Sequence, residues 1–224
     1  LKEFKKEKLK TYLDKVKESE AAGVAQEWKK NILHLSGGQN VFEINSLRFL
    51  LNAITPKVAG GLYGGSVTAK VKATDVEVEE IDISKEVNQG VGMLSFAGHG
   101  STDVIDLNIG YSSSPQRNYS NKGKYPLMFF NGCGVGNVFY RYNTLSTDWI
   151  VTPNKGAIGV FANSYWSYLY PTQRYLEVLY DKLFVDPELS KLTIGEVHKA
   201  VNQALVNESG SDYIRAEMHQ MVFQ

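Results

Sequence analysis

The chain predicts an α/β domain in which a largely parallel sheet is covered by helices on both faces. Two observations carry this expectation. Apolar runs of strand length, bounded by turn residues, recur at 31–35, 91–97, 126–132 and 156–162. Stretches with helical spacing stand between and after them, the alternation that parallel strands with crossover helices require. In such sheets ligands bind beyond the carboxyl ends of the strands.

Taken in order, residues 1–30 read as a Lys- and Glu-rich helix. Its Leu9, Tyr12, Leu13 and Val16 form one apolar stripe on a solvated, charged rod. A short strand at 31–35 ends in the turn Ser36-Gly37-Gly38-Gln39-Asn40. A second helix then runs over 41–54 and stops near Pro56. Val67, Ala69 and Val71, then Val76 and Val78, alternate with polar residues as strands with one wet face do. A helical turn at 83–87 precedes the strand at 91–97. Residues 102–124, rich in Ser, Asn, Gly and Tyr, show no sustained period and read as a long functional or mobile loop. The strand at 126–132 leads to a helix at 144–151, and 156–162 forms another buried strand. An irregular aromatic stretch at 163–170 gives way to a helix at 171–184 with Pro171 in its first turn. Helices at 193–206 and 212–222 finish the chain, and no internal repeat is evident.

Composition narrows the classes. With 224 residues, 43% hydrophobic and 21% charged, the chain suits one globular domain over 1–224 with length to bury a core. Lys plus Arg and Asp plus Glu both number 24, so the balance supplies no electrostatic reason to expect a nucleic-acid partner. No apolar run reaches the roughly 18–20 residues that span a bilayer. The chain opens at Leu1 without an initiator methionine or signal peptide, as expected of a piece of a longer protein. Cys133, the single cysteine, excludes an internal disulfide and is a free thiol.

Two strand ends stand out. One is Ala97-Gly98-His99-Gly100-Ser101, the other Asn131-Gly132-Cys133-Gly134-Val135-Gly136. Taken singly, a Cys after an apolar strand is usually a small buried hydrophobe and a His at a strand end is usually structural. Together they sit at equivalent ends of strands that should be parallel neighbours ~4.8 Å apart, near hydrogen-bond reach of each other. A thiol becomes an effective nucleophile when a nearby His takes its proton. Flanking glycines bare the backbone, and the N–H groups of Gly100 and Cys133 suit an oxyanion hole. That chemistry is acyl transfer through a thioester.

Two rival readings use the same residues. Gly132-x-Gly134-x-Gly136 follows a strand as a dinucleotide loop does. However, the third glycine position of that motif falls on Asn137, and the next strand ends without an acid for a ribose. A metal site from His99, Asp103 and Asp106 lacks further histidines, since His34, His198 and His219 lie in unrelated elements.

At these residues the chain resembles the gingipain-type cysteine peptidases of the caspase-like clan, a bacterial family that includes sorting proteases of type IX secretion. Trp28-Lys29-Lys30-Asn31-Ile32-Leu33-His34-Leu35 followed by Gly37-Gly38 looks like the first core strand. Gly98-His99-Gly100-Ser101 looks like the histidine motif, Cys133-x-x-Gly136 the nucleophile motif, and Lys155-Gly156-Ala157-Ile158 the next strand. The resemblance spans about residues 10–185. It departs after the nucleophile, where Val138 replaces a usual aromatic and Phe139 follows, and in the 102–124 loop.

The resemblance implies a three-layer caspase-like fold and a Cys133 nucleophile with His99 as general base or acid. It implies an oxyanion site at Gly100 and Cys133, Glu43 as the acid orienting His99, and Trp166 at the substrate pocket. It implies a protein or peptide substrate, a secreted or bacterial cell-surface location, no required cofactor and a place for calcium. It also implies an additional amino-terminal half-domain, this chain being mainly the catalytic half. A catalytically silent scaffold and a transpeptidase using an amine in place of water remain alternatives on the same residues.

Overall fold

The structure is a computed structural model that describes residues 2–23, 25–60, 62–140, 143–208, 210 and 212–224. A six-stranded sheet forms its middle layer. In chain order the strands are β1 (Asn31–Ser36), β2 (Ser66–Val71), β4 (Met93–Ala97), β6 (Leu127–Asn131), β7 (Gly159–Asn163) and β8 (Met221–Phe223). They lie side by side as β2-β1-β4-β6-β7-β8, parallel except for β8. β3 (Glu79–Glu80) and β5 (Leu107–Asn108) pair separately. The helices are α1 (Lys2–Ala21), α2 (Val41–Ala59), α3 (Ser84–Gln89), α4 (Leu145–Val151), α5 (Leu169–Tyr180), α6 (Ile194–Glu208) and α7 (Asp212–Gln220).

Alternation along the strands builds two cores, because successive side chains leave a strand on opposite faces. Ile32, Met93, Phe129 and Phe161 face α2, α5, α6 and α7. Leu33, Leu94, Phe96, Met128, Phe130 and Val160 face α4 and the connection after β4. The four interior strands are buried on both sides, which is why they read as largely apolar runs, with His34 and Ser95 the polar residues enclosed within β1 and β4. Helix α2 covers the first face through Leu47, Leu50, Leu51, Ile54 and Val58, the spacing of one helical stripe.

Several expectations are corrected. Helix α2 passes through Pro56 to Ala59 because the packing of fully buried Val58 outweighs the one hydrogen bond that proline removes. Helix α1 ends at Ala21, and a 3₁₀ turn at Glu27–Lys30 enters β1. The stripe on α1 is largely exposed at Leu9 and Leu13, while Tyr12 packs against the second core; among the described residues of the helix the fully buried one is Lys15. Its ammonium donates to the carbonyls of Lys155 at 3.0 Å and Trp149 at 3.1 Å, at the carbonyl-rich end of α4. Val76 and Val78 are exposed outside any strand. Residues 102–124 are no free loop: Ile105, Leu107, Ile109 and Tyr119 are buried in the second core. Residues 221–223 leave the helical path to pair antiparallel with β7.

Candidate functional site

The parallel register decides where the two motifs meet. Ala97 pairs with Asn131, so His99 and Cys133 each lie two residues beyond the last paired position of adjacent strands. Gly98 N–H donates to Asn131 O at 3.2 Å, holding the two exits side by side. A Cβ added to Gly132 would stand 3.3 Å from Gly100 N, so glycine at 132 lets the backbones approach. Among the described residues, neither Gly100 N–H nor Cys133 N–H donates a hydrogen bond inside the protein.

Gly134 takes a φ of 68°, the left-handed region that glycine tolerates, and its N–H donates to Tyr165 O at 2.7 Å. Gly136 N–H donates to Asn163 O at 2.9 Å. The stretch after the nucleophile is thereby laced to the segment that follows β7. Ser167 in that segment donates its N–H to Cys133 Sγ at 3.2 Å, and the thiol lies 3.5 Å from Ser167 O. The thiol therefore rests on the Ser167 backbone, while His99 is bonded elsewhere.

That other partner is Glu43. Asn40 caps α2 by accepting from Glu43 N–H at 3.0 Å, and the Glu43 carboxylate turns back to accept from Gln39 N–H at 2.9 Å. The same oxygen, Oε2, lies 2.9 Å from His99 Nε2. Burial pushes the Glu43 carboxyl upward, but the Gln39 N–H and His99 outweigh it and hold the group below the usual glutamate range. An ionised carboxylate only accepts hydrogen bonds. Nε2 therefore carries the proton of a neutral His99, and Nδ1 keeps its lone pair for another proton.

Two buried carboxylates, neither assigned this role from the sequence, brace this arrangement. Asp106, one of the three residues of the rejected metal reading, accepts from Gly38 N–H at 2.7 Å, and its own N–H donates to His99 O at 2.9 Å. It thus ties the turn before Glu43 to the turn carrying His99, and a Cβ on Gly37 or Gly98 would collide with it. Asp103 instead accepts from the Tyr111 hydroxyl at 2.9 Å. Glu217, from α7, accepts from the segment around Ser167. The signal available for it was a carboxylate on an apolar stripe, between Ile214 and Met218. Among the described residues, no group of three or more His, Cys, Asp or Glu is placed to hold a metal ion.

A hollow of about 90 Å³ opens beside His99, walled by Leu47, Asn131, Ser167, Leu169 and Thr172 with Glu43 at its edge. That is several times the ~10–15 Å³ one water needs. Trp166, next in sequence to Ser167, is 55% exposed against Tyr165, so it lies at the surface and outside the core, and it does not line the hollow. Among the described residues no helix is long and apolar enough to cross a membrane.

Comparison with known proteins bears on the family and the fold. The model of Peptidase family C25 matches residues 5–224. A search of curated proteins finds no match. Among solved structures, the Arg specific cysteine proteinase gingipain R (RGPB) superposes with a TM-score of 0.65 at 16% identity, covering 88% of this chain and 46% of that one. A structure described only as a protease gives 0.73 at 18% identity, covering 97% and 51%. The complex of Porphyromonas gingivalis RgpB pro- and mature domains gives 0.63 at 16% identity, covering 87% and 46%. At such identities the superpositions speak for the fold, and this chain spans about half the length of those it matches.

Proposed function

The chain belongs to Peptidase family C25, a cysteine peptidase-type domain on a caspase-like α/β fold, and from that premise we propose that it is an endopeptidase acting through Cys133 and His99. The observation that carries the reading is the Glu43–His99 bond of 2.9 Å at a strand exit adjacent to that of Cys133. Glu43 fixes the imidazole with Nδ1 as the free acceptor. The Cys133 thiol turns from Ser167 toward His99, which takes its proton as Sγ attacks the scissile carbonyl carbon. Catalytic hydrogen bonds that are slack without substrate and tighten around it are common.

The carbonyl oxygen becomes an oxyanion that the N–H groups of Gly100 and Cys133 receive, and their lack of partners among the described residues supports that role. Collapse expels the amine with the proton held by His99 and leaves a thioester on Cys133. Water, deprotonated by His99, then attacks the thioester carbonyl; the C–S bond breaks, the acyl half leaves as its carboxylic acid, and the proton on His99 returns to Cys133 Sγ. The hollow beside His99 takes a substrate side chain, with Trp166 contacting the substrate at its rim. The reaction needs no metal or other cofactor, calcium enters no step, and the substrate is a protein or peptide. A secreted or bacterial cell-surface location belongs to the same proposal, as does a single catalytic domain within a longer protein.

A second reading, a silent family member serving as a scaffold, draws on one observation: the thiol rests on Ser167 and not on His99. Digestion of a peptide library separates the two. The peptidase reading expects cleavage by the wild type and none by Cys133→Ala or His99→Ala, and products joined to an added amine would mark transpeptidation. A wild type that cleaves nothing, and whose thiol reacts no faster at pH 6–7 than a free model thiol, supports the scaffold.

A further inference from the structure

Glu217 is an unusual residue to bury. It lies 1% exposed on α7, and among the described residues the groups that hydrogen-bond to it are all uncharged. Docking α7 on the core needs only an apolar side chain there, as Ile214 and Met218 provide. A carboxylate with no cation beside it costs free energy unless its oxygens are fully used. All of its bonds go to one segment: Ser167 Oγ–H at 2.7 Å, Tyr168 N–H at 3.0 Å, the Asn163 amide at 3.1 Å and Thr172 Oγ–H at 3.3 Å. The next turn of the chain adds to the hold, since Ser164 donates its N–H and hydroxyl to Gln220 O at 3.0 and 2.7 Å.

The segment so held is the one that grips the nucleophile. Ser167 presents its N–H to Cys133 Sγ, and Ser167, Tyr168 and Thr172 all line the hollow beside His99. We propose that Glu217 is a positioning residue that sets the Ser167–Thr172 segment against Cys133, fixing both the resting place of the thiol and the wall of the substrate hollow. Its consequence for turnover rests on the peptidase reading above; its effect on the thiol does not. Glu217 touches no reacting atom and acts through Ser167.

The test compares Glu217→Ala with Glu217→Gln. Alanine leaves Tyr168 N–H and the Asn163 amide without an acceptor. Glutamine keeps a carbonyl for Tyr168 N–H, and its amide finds acceptors in the two hydroxyls and in Asn163 Oδ1, which has no partner now. For Glu217→Ala the expected result is a fall in kcat/KM of about tenfold with KM raised, the loss of one buried hydrogen-bonded acceptor. The pH profile for alkylation of Cys133 by iodoacetamide should shift, while circular dichroism keeps the wild-type fold. Glu217→Gln should recover most of both.

If both variants fold and match the wild type in KM and in alkylation profile, Glu217 merely docks α7 and the proposal falls. Should Glu217→Ala not fold, Ser167→Ala decides, since it removes one hydroxyl from the same clamp. A displaced alkylation profile sustains the proposal, and an unchanged one overturns it. Alkylation is read without peptide, so a wild type that cleaves nothing defeats the peptidase reading while this arm still judges the clamp.

Discussion

Glu43 is where the proposed chemistry can be pressed hardest. Its Oε2 accepts from both Gln39 N–H and His99 Nε2–H at 2.9 Å. Glutamine placing its carbonyl oxygen there keeps both bonds and loses only the charge. A hydrogen bond to a charged group is worth about 1.5–3 kcal/mol and a neutral one about 0.5–1.5, so the charge contributes roughly 1–1.5 kcal/mol. The Glu43 and His99 side chains are 31% and 43% exposed, which screens the interaction and favours the lower end. Glu43→Gln should therefore lower kcat/KM roughly 3- to 10-fold. Glu43→Ala removes the bond outright and should cost roughly 10- to 100-fold. Both losses should fall mainly on kcat, because Glu43 acts through His99. Turnover of a peptide identified from the library, normalised by titration of alkylatable Cys133, reads the effect free of any loss of folded protein. If both variants stay within about twofold of the wild type, inside the scatter of one weak contact, Glu43 does not orient His99.

Other parts of the structure give separate tests. His34 is buried with Nε2 on the Tyr180 hydroxyl at 2.8 Å, and burial lowers its pKa to about 4. The unfolded imidazole gains its proton near pH 6.5 and the folded one resists, so stability is lost as pH falls from 6.5 toward 4, by at most about 3 kcal/mol. In urea titrations the stability gap between wild type and His34→Gln should narrow across that window, and a constant gap refutes the assignment. Gly136→Ala would place a Cβ 2.5 Å from the Ala162 carbonyl and should destabilise by about 1–3 kcal/mol, read as a lowered Tm. An unchanged Tm would mean that β7 does not pass so close. Trp166→Ala should raise KM or alter residue preference without abolishing alkylation of Cys133, and unchanged kinetics would remove Trp166 from substrate contact.

The neighbouring placement of His99 and Cys133 was legible because its signal is local. An apolar run, a glycine and a reactive side chain occur twice at the same offset, and parallel pairing of β4 with β6 turns equal offsets into proximity. Glu43 was visible only through family resemblance, since an acid in the first turn of a helix is ordinarily just a favourable charge near its positive end. Asp106 and Glu217 act across long separations, Glu217 meeting Asn163 from 54 residues away, and no local pattern encodes such a bond. The 102–124 stretch is the irregular connection expected, with only a two-residue strand and one 3₁₀ turn; its burial went unread because Ser, Asn and Gly obscured the alternation of Ile105, Leu107 and Ile109. The last residues of the chain were read as helix because β8 owes its conformation to pairing with β7, where Phe223 stacks on Phe161 at 4.3 Å.

The central claim is that Cys133 forms a thioester with its substrate while His99 moves the proton. Acid quenching during turnover of a cleaved peptide, followed by mass spectrometry of the intact protein, tests it directly. The account predicts a wild-type species heavier by the acyl half of the peptide, mapped to Cys133 and absent from Cys133→Ala and His99→Ala. Cleavage that persists in Cys133→Ala, or an acyl group found on any other residue, would contradict it.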